Sequence, residues 1–174
     1  MPRKHRPSLK NRIRSEWQCT SKLTVSVCTV VAVLAGVYFA VLADGFASYP
    51  SFCLPDGAPP VFFLPFLWVW GFFLLGASAG ICASVKEKHC LHHKKRGLWF
   101  ILAVFATILL WAPVFFRFEL FFIGIILLCI AIISTIFATL EILTTSRIAS
   151  ILMLLFWLWL LFLLYLNLAI LFLN

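Results

Sequence analysis

The sequence predicts an all-α fold, a polytopic membrane protein built as a bundle of five transmembrane helices. Of its 174 residues, 64% are hydrophobic and 11% are charged, whereas an ordinary soluble domain has about 25% charged residues. The apolar residues form five long runs separated by short charged joints. Too few charges are present to cover a water-exposed surface, and we expect the lipid bilayer to surround most of the chain.

The chain begins with a basic tail, residues 1–22, which carries seven Lys and Arg residues. We expect this tail to lie against anionic lipid headgroups. Residues 23–43 follow without a charge, which is long enough to cross the hydrocarbon core. The end of this run resembles a signal-peptide cleavage site, but the run is longer than the usual h-region of about 7–15 residues. We therefore predict a retained helix.

The segment 44–60 is predicted to be a structured loop. It contains four prolines and two glycines, and this density of helix breakers excludes a continuous helix. The loop is long for a membrane connection, so we expect it to fold over the bundle as a lid.

Four further apolar runs complete a single membrane domain, residues 23–174. They are predicted to span the membrane at residues 61–85, 98–116, 120–140 and 148–173. Unpaired backbone groups are costly in hydrocarbon, so each run should be helical. Pro113 removes a helical hydrogen bond, and it should either kink the third helix near Trp111 or end it there.

The distribution of positive charge predicts an orientation. The tail, the joint 86–97 and Arg147 together carry thirteen of the fourteen Lys and Arg residues. The positive-inside rule then places the N-terminus in the cytoplasm and the C-terminus outside. Flanking charge without a transit peptide favours a bacterial plasma membrane. Because these charges sit at membrane-flanking joints, we do not expect a nucleic acid partner.

The sequence offers little for catalytic chemistry. All six acidic residues lie in the tail or in joints, and the six cysteines follow no repeated spacing; a buried carboxylate relay and a disulfide framework are therefore not expected. One joint contains four metal-ligand residue types, His89, Cys90, His92 and His93. Their spacing is not that of a standard site and flanking lysines oppose cation binding, so we predict no metal and no required cofactor.

Three tryptophans lie several residues inside their runs: Trp68, Trp111 and Trp159. Two sets of residues share the helical spacing i, i+4, i+8: Trp68, Phe72 and Gly76, and Trp159, Leu163 and Asn167. Each set occupies one helix face. Two faces could therefore present a tryptophan to a common interior, as in the aromatic-lined pockets that bundles use for ligands.

A Gly-x-x-x-Gly pattern joins Gly76 and Gly80. This pattern lets a neighbouring helix backbone approach closely. The neighbour can be another helix of the same chain or a helix of a second copy, and the motif leaves both packing within the bundle and a homodimer open.

Four stretches carry a family resemblance: Tyr49-Pro50-Ser51-Phe52 with Pro59-Pro60; Pro65-Phe66-Leu67-Trp68 with Phe72 and Gly76; Trp111-Ala112-Pro113-Val114-Phe115-Phe116; and Ser146-Arg147-Ile148-Ala149, Trp159, Phe162, Tyr165-Leu166-Asn167, Ala169-Ile170 and Leu173-Asn174. The chain thus resembles the translocator protein / tryptophan-rich sensory protein (TspO/MBR) family from about residue 23 to residue 174.

The resemblance implies a five-helix bundle, often dimeric, with a pocket under the first loop that accepts porphyrins, sterols and benzodiazepine-like ligands. By position, Trp68, Trp111 and Trp159 would line this pocket. Phe72 takes the place of a family Tyr, and Leu163 that of a family Ala. Asn167, on the same face as Leu163, completes the set of candidate ligand-binding residues.

Several positions depart from the family pattern. Ile108 and Val104 stand where the family has Asn and Gln in the third helix, and the Pro-Tyr pair of the fifth helix becomes Leu155-Phe156. These changes imply a drier and narrower pocket. The sterol-recognition pattern lacks the Lys or Arg that should follow Tyr165, so sterol binding is not expected. The family usually has its N-terminus outside, so either the basic tail reverses insertion or the charge rule fails here.

These observations favour a sensor or carrier that binds a tetrapyrrole or similar planar apolar ligand by stacking on the three tryptophans. An enzymatic alternative, taken from the resemblance, is light-dependent degradation of protoporphyrin through Trp68 and Trp159. A structural alternative is association with a partner membrane protein through the Gly76 to Gly80 face. A binding protein is favoured over an enzyme.

Overall fold

The structure, a computed structural model, describes residues 20–55, 57–85 and 91–174. Its long helices are α1 (Lys22–Leu42), α2 (Leu64–Ser84), α3 (Leu91–Ala112), α4 (Phe121–Leu143) and α5 (Arg147–Leu173). All five are long and apolar enough to cross a membrane. The described residues contain no strand. The predicted all-α membrane bundle is confirmed.

The third helix begins at Leu91, about two turns ahead of the predicted start at residue 98. The prediction counted only residues that suit hydrocarbon, but helical hydrogen bonding continues into the polar headgroup region. Lys94 supports this extension, because its Nζ donates to the carbonyl oxygens of Ala83 and Val85 at 2.6 and 2.7 Å. The start of α3 is thereby held against the end of α2, whose last carbonyls need such partners.

The other helix bounds lie within a few residues of the predicted ones. α4 continues to Leu143, beyond the predicted end at residue 140. A short 3-10 turn, Val61–Phe63, precedes α2. At Pro113 the α-helix widens into a π-helical turn, Pro113–Arg117. The proline has no N–H to donate, so the chain changes its helical geometry at Pro113 and leaves the helix at Arg117.

α2 is the central helix of the bundle. It packs against α1 on one side and α5 on the other, while α4 packs between α3 and α5. A Cβ on Gly76 would lie 2.8 Å from the Ala32 Cβ, and one on Gly80 would lie 2.5 Å from the Val25 Cα. The Gly-x-x-x-Gly face is therefore covered by α1 of the same chain, which decides between the two partners that the motif left open.

The loop between α1 and α2 lies across one end of the bundle. It contains a one-turn helix, Gly45–Ser48, and a 3-10 turn, Tyr49–Ser51. The Tyr49 hydroxyl donates to the Pro59 carbonyl oxygen at 3.2 Å, which closes the loop on itself. Burial raises the pKa of the Tyr49 phenol, because the charged phenolate loses its hydration there.

Two contacts fasten this loop to the bundle. The Phe52 ring meets the rings of Phe115 and Phe121 edge to face, with centroid distances of 5.9 and 5.5 Å. The Cys53 N–H donates to Asn174 Oδ1 at 2.9 Å, and Asn174 Nδ2 donates to the Cys53 carbonyl oxygen at 3.3 Å. The Asn174 amide thus pairs with the loop backbone as another peptide group would.

Candidate functional site

The three interior tryptophans meet in one cluster, although they come from three helices. Trp68 of α2 lies between the other two, with ring centroids 5.8 Å from Trp111 of α3 and 5.9 Å from Trp159 of α5. The first pair is stacked and the second is edge to face. All three are buried, so the faces that the spacing predicted do point to a common interior.

Trp68 is fixed from α1. Its indole Nε1 donates to the Gly36 carbonyl oxygen at 2.8 Å. A Cβ on Gly36 would collide with the ring of Phe72, which itself packs against Trp68 with a centroid distance of 5.6 Å. The absence of a side chain at residue 36 lets α1 come close enough to accept this hydrogen bond.

Trp111 is fixed from α5. Its Nε1 donates to Asn167 Oδ1 at 3.1 Å, and Asn167 Nδ2 donates to the Phe121 carbonyl oxygen at 3.1 Å; the amide orientation follows from this network. Asn167 is fully buried. A Cβ on Gly124 would lie 2.7 Å from the nearest atom of the Asn167 amide group, so the glycine provides the space that the amide occupies.

Trp159 is held by packing alone. Its Nε1 is buried and has no hydrogen-bond partner in the described part of the chain. The indole stacks on Phe156 with centroids 5.3 Å apart, and it lies on Gly71, where a Cβ would come within 2.5 Å of its Cε2. A buried N–H without an acceptor is uncommon and costs about 1–3 kcal/mol. Trp159 is therefore the indole of the three that can rotate without breaking a hydrogen bond.

A small cavity adjoins the cluster, under the loop. Its free volume is about 20 Å³, which is space for about one water molecule. Its walls are Ala40, Phe46, Tyr49, Leu64, Trp68, Trp111, Phe115, Phe116, Leu163, Leu166, Asn167 and Ile170. A pocket for a drug-sized ligand has about 300–1,000 Å³, so aromatic side chains must move before a large ligand can enter.

The remaining candidate residues occupy different positions around the cluster. Leu163 and Asn167 line the cavity, but Trp159 does not. Phe72 lies behind Trp68 and meets Trp159 edge to face, with centroids 6.5 Å apart. Gly76 faces α1, which makes it a packing residue rather than a wall of the cavity.

Several aromatic residues of the cluster are not among the ligand-binding residues predicted from the sequence. Phe115 stacks on Trp111 with centroids 4.9 Å apart, and Phe116 meets it edge to face at 5.7 Å. Phe156 stacks on Trp159. Helical spacing could have identified them. Phe115 follows Trp111 by four residues and Phe156 precedes Trp159 by three, and residues at these spacings are neighbours on a helix surface.

The two apolar replacements in α3 lie in the interior. Ile108 and Val104 are fully buried, so at these two positions the interior of this bundle is hydrocarbon where the family pattern places polar amides. The change removes hydrogen-bonding groups from the neighbourhood of the cluster and leaves Asn167 as its buried amide.

One histidine of the second joint, His93, contacts the carboxylate of Glu141 in α4. His93 Nδ1 lies 2.6 Å from Glu141 Oε2, and Arg96 lies 3.8 Å from the other oxygen of this carboxylate. His89 and Cys90 lie outside the described residues. Among the residues that are described, no three His, Cys, Asp or Glu side chains are grouped as metal ligands.

Comparison with known proteins identifies the family. No curated protein matches the sequence significantly. The profile of the TspO/MBR family matches residues 24–173, which cover the five long helices and the loop over the cluster. The chain belongs to the TspO/MBR family and is an integral, multi-pass membrane protein.

Proposed function

We propose that this protein binds a tetrapyrrole, such as a porphyrin, or a similar planar apolar ligand inside the bundle, as a sensor or carrier. Its family supports a sensory or translocator-like role in the membrane. The observation that carries the proposal is the cluster of Trp68, Trp111 and Trp159, in which the Trp68 ring lies 5.8 and 5.9 Å from the other two. Aromatic faces of this kind give a flat ligand a large contact area with little loss of side-chain entropy.

Binding requires the cluster to open. The cavity of about 20 Å³ admits no porphyrin, and Trp68 and Trp111 are both tied by hydrogen bonds. Trp159 has no such bond, so its rotation costs packing contacts that the face of a bound ligand can replace. In this proposal Trp159 rotates to admit the ligand, which then lies between its indole and the fixed pair, Trp68 and Trp111.

The test is a titration of the detergent-purified full chain with protoporphyrin IX in the dark, followed by quenching of intrinsic tryptophan fluorescence. Saturable quenching is expected for the wild type. Trp68→Leu and Trp159→Leu should each weaken affinity about ten-fold or more, because each removes an aromatic contact and its buried area. Trp99→Leu is the matched control, since the Trp99 side chain lies on the outer surface of the bundle and is 69% exposed. Unchanged affinity in both pocket variants would refute the proposal.

A light-dependent activity on protoporphyrin is the second candidate. The rings of Trp68 and Trp159 are 5.9 Å apart, so a ligand entering between them would contact both indoles. Illumination of the same samples distinguishes the two functions. Loss of porphyrin absorbance that needs the protein and disappears in Trp68→Phe would support degradation, whereas stable absorbance with saturable quenching would support binding alone.

The third candidate is association with another membrane protein through the Gly76 to Gly80 face. This face is not available to a partner, because α1 covers it. A stoichiometric partner together with no ligand-induced thermal shift would still favour it over ligand binding. In that event the partner would have to use another face of the bundle.

We also propose that the N-terminus lies in the cytoplasm of a bacterial cell, as the positive-inside rule predicts. Cys53 is exposed in the loop at the opposite end from the basic joints. A membrane-impermeant maleimide should therefore label intact cells at Cys53, and Cys53→Ser should remove that label. Labelling that survives in Cys53→Ser, or that appears only after permeabilisation, would reverse the orientation.

A further inference from the structure

A second, separate groove opens on the outside of the bundle between α1, α2 and α3. Its volume is about 350 Å³. Its walls include Cys28 and Ala32 of α1, Gly76 and Ala79 of α2, and Leu98 and Phe105 of α3. Small residues on α1 and α2 create the depression. From Leu98 to Phe105 the groove follows α3 for about 10 Å, and it therefore runs along the membrane normal rather than across it.

The end of this groove lies next to positive charge. Lys95 precedes Leu98 by three residues and Leu102, another wall residue, by seven, so it shares their face of α3. Its side chain is exposed, and it makes no ion pair with any residue in the described ranges. Its neighbour Lys94 donates to carbonyl groups at the end of α2, which places a second ammonium group at the junction of α2 and α3.

This end of the bundle is strongly basic as a whole. α1, α3 and α5 begin there, and among the described residues this end holds five of the six Lys and Arg residues but one of the three acidic residues, Glu141. The first turn of α3 contains no acidic residue, although the positive end of a helix dipole favours one. An anionic group at Lys95 would therefore complement both the lysine side chains and the positive end of the α3 dipole.

We propose that this groove, together with Lys95, is a binding site for one anionic phospholipid. An acyl chain fills the apolar groove, and the phosphate lies at the Lys95 ammonium group, about one helical turn beyond Leu98. An apolar channel and a cation at that separation match the two parts of one phospholipid molecule. The site is distinct from the tryptophan cluster, and the proposal does not depend on the function proposed for that cluster.

The test measures which lipid stays bound. The full chain is reconstituted in vesicles of equimolar phosphatidylglycerol and phosphatidylcholine, extracted gently into detergent and examined by native mass spectrometry. One phosphatidylglycerol per chain should be retained, in preference to phosphatidylcholine. Lys95→Gln should lower that preference about five-fold, the effect of one lysine at a membrane surface. Arg96→Gln is the matched control, because Arg96 lies on the side of α3 that faces Glu141 of α4.

A second variant tests the groove itself. Ala79→Leu places a larger side chain in the groove and should lower retention of both lipids about ten-fold, since it takes the place of roughly two methylene groups of the acyl chain. Ala103→Leu makes the same change on an exposed part of α3 outside the groove and should have no effect.

Three results would overturn the proposal. Equal retention of the two lipids would mean that charge plays no part. Unchanged retention in Ala79→Leu would place the lipid elsewhere. Displacement of the lipid by one equivalent of protoporphyrin IX, or a lipid-free dimer, would give the groove a different occupant.

Discussion

Replacing Asn167 with leucine tests the hydrogen bond that fixes Trp111. Leucine has the same branched skeleton as asparagine, so the change removes the polar groups and leaves no cavity, although its larger methyl groups add a packing strain that a double-mutant cycle separates from the hydrogen bond. The Trp111 N–H would lose its acceptor at 3.1 Å, whereas the Phe121 carbonyl still has its helical partner in α4. An orphaned buried donor costs about 1–3 kcal/mol in a protein interior. Hydrogen bonds between transmembrane helices average about 0.6 kcal/mol with a maximum near 1.7, so we expect about 1 kcal/mol.

A double-mutant cycle measures this value. The wild type, Asn167→Leu, Trp111→Phe and the double variant are unfolded with increasing dodecyl sulfate in mixed micelles. Trp111→Phe alone also disturbs the stacking on Trp68 and Phe115, but the cycle cancels that effect. A coupling of about 1 kcal/mol between the two sites is expected. A coupling below about 0.3 kcal/mol, the usual error of additivity, would refute the argument that Asn167 positions Trp111.

Three further predictions concern the α1–α2 contact and the loop. Gly80→Ala should destabilise the fold by about 1–3 kcal/mol in the same micelle assay, because its Cβ meets the α1 backbone; a gain in stability from the better helix former would contradict the close packing. Tyr49 should ionise above its ordinary pKa of about 10. The stability that the neutral phenol gives the loop is complete below that pH and is lost as the pH rises through the raised pKa. The phenolate absorbance of Tyr49 is obtained by subtracting the pH titration of Tyr49→Phe from that of the wild type. This difference curve should have its midpoint above the ordinary pKa, and an unshifted midpoint would contradict burial of the phenol. Asn174→Ala should speed amide hydrogen exchange at Cys53 about ten-fold, since two hydrogen bonds at 2.9 and 3.3 Å are lost. Exchange at Ala58, whose N–H donates to the Pro55 carbonyl oxygen at 3.0 Å, should be unaffected. Unchanged exchange at Cys53 would show that the Asn174 amide does not hold the loop.

The residues of α3 illustrate how far local patterns reach. Hydropathy locates the helix, and Pro113 marks where its geometry changes. The part of α3 ahead of residue 98 includes the contact of Lys94 with the end of α2, and no hydropathy window contains that contact. The helical spacing of Trp111 and Phe115 is visible in the sequence, but the stacking of their rings depends on the side chains packed around them.

By itself, the sequence determined the membrane class, the number of helices, the family motifs and the two helix faces that carry Trp68 and Trp159. These properties depend on composition and on residues a few positions apart, which hydrophobicity and helical periodicity describe well. The tertiary structure alone decided that α1 covers Gly80, that Asn167 holds Trp111 while Trp159 has no hydrogen bond, and that the cavity is nearly closed. Each of these depends on which helices become neighbours and on how their side chains fill the space between them, and such long-range packing has no signature in a local stretch of sequence.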